Sequence, residues 1–400
     1  MKSMLFSILL LAFVPQAEAD QWTAQTSGVT ANLFSLSFPG GDTGFVCGDL
    51  GIILTTLNGG TTWTTHAMTS KQPLYAVVNP DKVLDTAYAV GGGGTIWKTT
   101  NRGNNWTSQA SGTTQSLRFA VAHGQLALAG GDSGVVIRSN NGGATWTRFP
   151  TGTTANLYSL GVTGGDSGSG GVVTMLVTSA NGMIKSLDTG KTWSAITLVS
   201  PPPLYGIQLN GPVAFVVGGS GTIYKSTNSG TSWTSVSSGV TQQLNSVTFP
   251  DSNNVITNPG YIVGAGGLIL KTTNTGSSWT GQASGTTQNL NAITFPHGNN
   301  TSGFFVYTVG NGGVILKGAI GVTPVLPSVK TASGRAGISS NRKLWYDLPA
   351  TSNVEISLFD AEGKLIWKAS ETHQSSGYHE MRLPAELASG ANLLELRATP

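Results

Sequence analysis

Charge and cysteine are what this 400-residue sequence has least of. Charged residues make up 10% of it, against about 25% in an ordinary globular domain. The net charge of +3 is scattered, so no basic stripe is available for nucleic acid. The single cysteine, Cys47, excludes a disulfide framework and a thiolate zinc site. It sits in the apolar run GFVCG with no histidine beside it and reads as a small buried hydrophobe. Glutamate is missing altogether between Asp20 and Val322, where nine Asp stand against twelve Lys plus Arg.

Long apolar runs are missing too, except at the N-terminus. Lys2, the stretch Leu5 to Val14 and the small-residue site Ala17-Glu18-Ala19 read as a signal peptide over residues 1–19. The run is too short to span a bilayer. The expected location is therefore secreted or on the outer surface of a bacterium, with the periplasm as the alternative.

What the sequence has in quantity is glycine, 55 residues, and a periodic tryptophan. Trp22, Trp63, Trp106, Trp146, Trp193, Trp233 and Trp279 succeed one another at steps of 40 to 47 residues. Six of them close one phrase, Ser/Thr-x-Asn/Asp-x-Gly-x-x-Trp: Asn58 with Trp63, Asn101 with Trp106, Asn141 with Trp146, Asp188 with Trp193, Asn228 with Trp233 and Asn274 with Trp279. Upstream of each lies a glycine pair, as in GDLGIIL from Gly48 and GAGGLIL from Gly264, and the fourth unit, ANGMIK, is one residue tighter. Each unit opens with a Leu-led run, at Leu33, Leu74, Leu117, Leu157, Leu204, Leu244 and Leu290. A repeat of this period with four short strands is a propeller blade. Residues 20–322 are therefore expected to form an all-β, seven-bladed propeller. Trp22 has no blade before it and the last unit has no Trp phrase after it, so the N-terminal strand is expected to complete the seventh blade as a velcro closure.

The phrase is local chemistry: Asn or Asp bonds the backbone ahead of it, Gly supplies positive φ, and Trp wedges between sheets. It resembles the Asp-box, or BNR repeat, and the whole unit resembles the repeat of the photosystem II stability and assembly factor family and its non-photosynthetic bacterial relatives. That resemblance implies a non-catalytic scaffold for protein assembly or adhesion. Sialidases and xyloglucan-cleaving glycosidases share Asp-box propellers, which makes a carbohydrate-binding module or degenerate glycosidase the alternative. Glycoside hydrolysis needs two carboxylates, yet Asp49 and Asp132 share one turn slot, Asp42 and Asp166 another, and Asp188 belongs to a box. A sialidase-like site would need an arginine cluster, and Arg102, Arg118, Arg138 and Arg148 all fall within two adjacent blades.

The glycine turns lack a following Lys-Ser/Thr and are not phosphate cradles. His66, His123 and His297 are isolated, so no metal or other cofactor is expected. If the Leu-led strand is innermost, its second residue and those at +2 and +4 share a face. This places Phe34, Tyr75, Arg118, Tyr158, Tyr205, Asn245 and Asn291 at one mouth of the channel, where they could hold a peptide or glycan or simply pack adjacent blades. The expected partner is a protein or a glycan, and the expected state a monomer.

Past Val322 the composition changes. Residues 323–338 are rich in Gly, Pro and Ser and read as a linker. Residues 339–400 alternate as short strands, with Val354, Ile356 and Leu358 on one face, and suggest a small Ig-like sandwich. The phrases KLWYDLP, VEISLFDAEGKLIW, SGYHEMRLP and LASGANLLELRA resemble the C-terminal sorting domain of type IX secretion cargo, which implies that export machinery is a partner.

Overall fold

The computed structural model describes residues 20–80, 84–163, 173–198, 201–252, 255–256, 259–296, 304–320, 329–330, 335–338, 343–348, 351–359, 365–382 and 393–399. The signal peptide expected over residues 1–19 lies outside them, as does His297. No helix among the described residues is long and apolar enough to cross a membrane. The chain divides into two compact units, Ala19–Ile320 and a second that includes Gly321–Pro400.

The first unit is an all-β propeller of seven four-stranded antiparallel sheets. In blade 1 the strands Leu33–Ser37, Gly44–Gly48, Ile52–Thr56 and Thr64–Ala67 pair in chain order. The next five blades open with Leu74–Val78, Leu117–His123, Leu157–Thr163, Leu204–Asn210 and Leu244–Thr248. Blade 7 is built from Leu290–Thr294, Phe304–Gly310, Ile315–Ile320 and, outermost, Gln21–Gln25. There Trp22 lies opposite Gly318 in an antiparallel pair. The Leu-led strands touch one another in cyclic order, blade 7 against blade 1.

Among the described residues of this unit the buried side chains form no single central core. Apolar residues collect between sheets, as where Phe45, Cys47 and Ile53 of blade 1 meet Leu74, Val77 and Ala87 of blade 2. Three of the periodic tryptophans stand edge-on to an aromatic of the preceding blade: Trp106 lies 6.1 Å from Phe45, Trp279 6.2 Å from Phe215 and Trp22 5.8 Å from Tyr261. Cys47 is fully buried. Its thiol donates to the Leu74 carbonyl at 3.2 Å, and burial pushes its pKa far up, so it is inert packing.

The glycine pair is set by close backbone approach. A Cβ on Gly264 would stand 2.2 Å from the Gln243 carbonyl, and one on Gly267 1.9 Å from the Thr286 carbonyl, so each pair grips the loops that lead into the innermost strands of its own blade and the next. Six blades carry this turn, and the tighter fourth turns directly from Thr174–Ser179 into Gly182–Ser186.

In the box turn of blade 1, Thr56 Oγ1 donates to Asn58 Oδ1 at 3.0 Å, the Thr62 N–H donates to that same oxygen at 2.9 Å, and Asn58 Nδ2 donates to Thr62 Oγ1 at 2.9 Å. In blade 4 the last bond reverses, and Thr192 Oγ1 donates to Asp188 Oδ2 at 2.6 Å. A hydroxyl both gives and accepts, so Asn serves as well as Asp in the four boxes that carry Thr62, Thr145, Ser232 or Ser278 at that position, while in blade 2 Asn105 gives Asn101 its backbone N–H. The donors from Thr192, Ser186 and Lys191 hold the Asp188 carboxyl down at about 2. Its contribution to stability is thus present above the ordinary carboxylate range and is lost as pH falls through about 2. Asp188→Asn is expected to leave the melting temperature at pH 7 nearly unchanged and to remove this acid-sensitive step, checked by melts from pH 7 to pH 2.

A second inter-blade device lies outside the box phrase. In each of five blades a basic residue on the third strand reaches the box turn of the next blade, and in a sixth it reaches the N-terminal segment. Lys98 Nζ donates to the Gly142 carbonyl at 2.6 Å, Lys185 to Ser229 at 3.0 Å, Lys225 to Thr275 at 2.8 Å and Lys317 to Gly59 at 3.3 Å. Arg138 reaches Thr189 Oγ1 at 3.5 Å. Lys271 has no box turn ahead of it and instead meets Asp20 Oδ1 at 2.8 Å, while Tyr261 Oη donates to Asp20 Oδ2 at 2.6 Å. The Asp20 side chain is 0% exposed. Its trace in the sequence is the Lys or Arg recurring in IWK, VIR, MIK, IYK, LILK and VILK.

In the second unit the strands Val329–Lys330, Arg335–Ile338, Lys343–Leu348 and Gly377–Arg382 form one sheet. Ser352–Phe359 pairs with Leu365–Gln374 on one side and Leu393–Thr399 on the other. Leu344, Tyr346, Leu348, Val354 and Ile356 make a common core. The segment expected as a linker over 323–338 therefore contributes two short strands. Its glycine and proline content hides them, because a strand of two to four residues shows no periodicity.

Candidate binding site at the channel mouth

All seven residues expected at the mouth line one central cavity of about 580 Å³. They arrive there by a route that alternation does not describe. In every blade the innermost strand slips register at its second residue, so that Phe34, Tyr75, Arg118, Tyr158, Tyr205, Asn245 and Asn291 are each the bulged residue. A bulge re-aims its side chain and shifts the rest of the strand by one position. The +2 and +4 residues consequently do not share its face: Leu36 and Phe38 are buried with Leu33 between blades 1 and 7. The legible signal is an apolar residue three after each leading Leu, as in Leu33 with Leu36, Leu74 with Val77 and Leu290 with Ile293.

Five of the seven form a continuous arc over blades 1 to 5. The rings of Phe34 and Tyr75 are 5.6 Å apart, and those of Tyr158 and Tyr205 5.2 Å. The Arg118 guanidinium lies between them, 5.0 Å from Tyr75 and 5.8 Å from Tyr158. Asp132 fixes it with both carboxylate oxygens, through Nε and through Nη2, the latter at 3.1 Å. This fork raises the Arg118 pKa against the opposing effect of burial. Asp132, by its slot in the repeat a turn former, opens the rim turn and also orients the guanidinium. Burial and the neighbouring Tyr158 raise the pKa of Tyr205, which stays a neutral hydroxyl.

The other two residues do different work. Asn245 Nδ2 donates to the Leu290 carbonyl at 2.8 Å, and Asn291 Nδ2 donates to the Leu33 carbonyl at 2.7 Å and to Asn311 Oδ1 at 2.9 Å. Their amides staple blade 6 to 7 and 7 to 1, and so are spent on the ring itself. The four arginines of the propeller do not converge: Arg102 pairs with the exposed Asp85 at 2.6 Å, and Arg138 reaches the box of blade 4. Among the described residues no cluster of His, Cys, Asp or Glu could hold a metal. His66 lies on the outer strand of blade 1, where burial lowers its pKa.

Seven sheets around an arginine-bearing aromatic mouth define a seven-bladed β-propeller with Asp-box turns. A family model described as photosynthesis system II assembly factor YCF48 matches residues 14–108. No curated protein matches the chain. Among solved structures, a YCF48 bound to D1 peptide is 19% identical with a TM-score of 0.60, covering 78% of this chain and 99% of its own. YCF48 from Cyanidioschyzon merolae is 17% identical with a TM-score of 0.58, covering 74% and 98%. An ancestral GH74 enzyme is 15% identical with a TM-score of 0.58, covering 85% of this chain and 51% of its own. Likenesses at these identities establish the fold.

Proposed function

We propose that this chain is an exported, non-catalytic propeller that acts as a protein-binding assembly scaffold of the YCF48-like kind, with the N-terminal strand as its velcro closure and the aromatic mouth as its binding site. The observation that carries it is the arc of Phe34, Tyr75, Arg118, Tyr158 and Tyr205, since aromatic and Arg side chains are the usual anchors of protein interfaces. The family match and the likeness to a YCF48 bound to a peptide support the same reading. The tail beyond Val322, read as an Ig-like sorting module, would address the protein to the cell surface, which protease accessibility on intact cells checks.

Carbohydrate binding is the second reading, favoured by the likeness to a GH74 enzyme. Hydrolysis has less support, because no Asp or Glu lines the cavity among the described residues and the reaction needs two carboxylates. The deciding experiment is substitution at the mouth. Tyr75→Ala, Tyr158→Ala and Tyr205→Ala are expected to melt near the parent while the affinity of a captured partner falls at least tenfold. If the rings serve packing, each variant instead loses a few kcal/mol and the folded fraction binds as before. Xyloglucan turnover abolished by Asp42→Ala would promote the glycosidase.

A further inference from the structure

The glycine turns on the rim of the mouth face provide an internal comparison. In five of them the third residue lies in the left-handed region and is small: Gly93 at φ +62°, Ser133 and Ser220 at +54°, Gly266 at +69° and Gly312 at +66°. Blade 1 carries Leu50 in that slot, at +59°. A bulky side chain is disfavoured in this conformation, and burial does not offset the strain, because Leu50 is 63% exposed. Glycine or serine closes the same turn in the other five blades, so the fold does not require the leucine.

Leu50 does not stand alone. It lines a groove of about 910 Å³ together with Trp22, Val29, Ile52 and Val314, all four half-buried. Apolar side chains of blades 7 and 1 thus meet in one patch across the seam where the ring closes. A single exposed leucine is ordinary, whereas a contiguous apolar patch marks an interaction surface. Among the described residues no charged side chain lines the groove, so a charged group brought into it would lose water without gaining a counter-charge. The groove is also continuous with the mouth. Leu33 lies opposite Gly48, and the Asp49 N–H donates to the Asn32 carbonyl at 2.9 Å. These contacts fix the Leu50 turn beside the start of the innermost strand, whose second residue is Phe34.

Resting on the scaffold reading above, we propose that this groove is a second anchor for the protein partner that covers the mouth, taking an apolar, uncharged side-chain cluster of that partner with Leu50 as the central contact. The interface then runs from Phe34 outward over blades 1 and 7. Because no other rim turn carries a large apolar residue in this slot, the groove gives the partner one orientation on an otherwise repetitive ring.

The test is panning of a phage-displayed library of random dodecapeptides on residues 20–400, with each enriched clone rebound to Leu50→Ser, Thr30→Glu and Tyr75→Ala. Thr30 is exposed and lines the same groove, so its replacement puts a carboxylate there. Uncharged clones rich in Leu, Ile, Phe or Met are expected, and Leu50→Ser and Thr30→Glu are each expected to weaken them at least tenfold while Tyr75→Ala leaves them bound. Leu50→Ser should melt at or above the parent temperature, since Ser133 and Ser220 already hold this slot, so lost binding cannot be laid to misfolding. A set of clones in which none depends on Leu50, or in which the Leu50-dependent ones carry charge, would overturn the proposal. So would a Leu50-dependent dimer in sedimentation velocity, which would make a second copy of the chain the occupant. Clones lost on Tyr75→Ala but kept by Leu50→Ser would leave the scaffold reading standing and remove the groove.

Discussion

Deletion of residues 20–27 is expected to destabilise the propeller far out of proportion to its length. The segment carries the outer strand of blade 7, the Trp22 indole packed on Tyr261, and Asp20. Without Asp20 the Lys271 ammonium, 12% exposed, is left in a buried position with no carboxylate. Breaking a buried pair costs about 3–5 kcal/mol, and loss of a packed Trp side chain a similar amount. Either is a large share of the roughly 5–15 kcal/mol that holds a domain folded. The strand Ile315–Ile320 would also become a bare edge open to pairing with another chain. Urea and thermal melts of residues 20–400 and 28–400 check this; equal midpoints would reject the closure.

Gly267→Ala and Gly266→Ala form a matched pair with a large expected difference. Both glycines have positive φ, +76° and +69°. A Cβ on Gly266 meets nothing within 4 Å, so its substitution costs only the left-handed conformation, about 1–2 kcal/mol. A Cβ on Gly267 lands 1.9 Å from the Thr286 carbonyl, on the loop that leads into blade 7. That carbonyl must move, and the packing of blade 6 on blade 7 with it, so a loss of about 3 kcal/mol or more is expected. Denaturant midpoints of the two variants measure the difference. Similar losses would mean that the glycine pair serves turn conformation alone.

Much of this was legible because the fold is a repeat. Each box turn is closed within one phrase, by the bond from Thr56 to Asn58, the bonds between Asn58 and Thr62, and their counterparts, so the spacing of Ser/Thr, Asn/Asp, Gly and Trp contains the whole instruction. The second residue of each opening strand could be named as a mouth residue because all seven blades share one register. The bulge there contradicts simple alternation, although the apolar residue three places after each leading Leu records it.

By itself the sequence determined the poverty in carboxylates and the seven units with the strands and turns inside each, because a unit rests on contacts within about 45 residues that recur in step. Only the tertiary structure decided what meets across blades: Arg118 between the tyrosines of blades 2 and 4, Lys271 on Asp20 from the other end of the propeller's sequence, and the amides of Asn245 and Asn291 spent on neighbouring backbones. Those contacts depend on how one sheet is rotated against the next, and a repeat pattern carries no record of that angle.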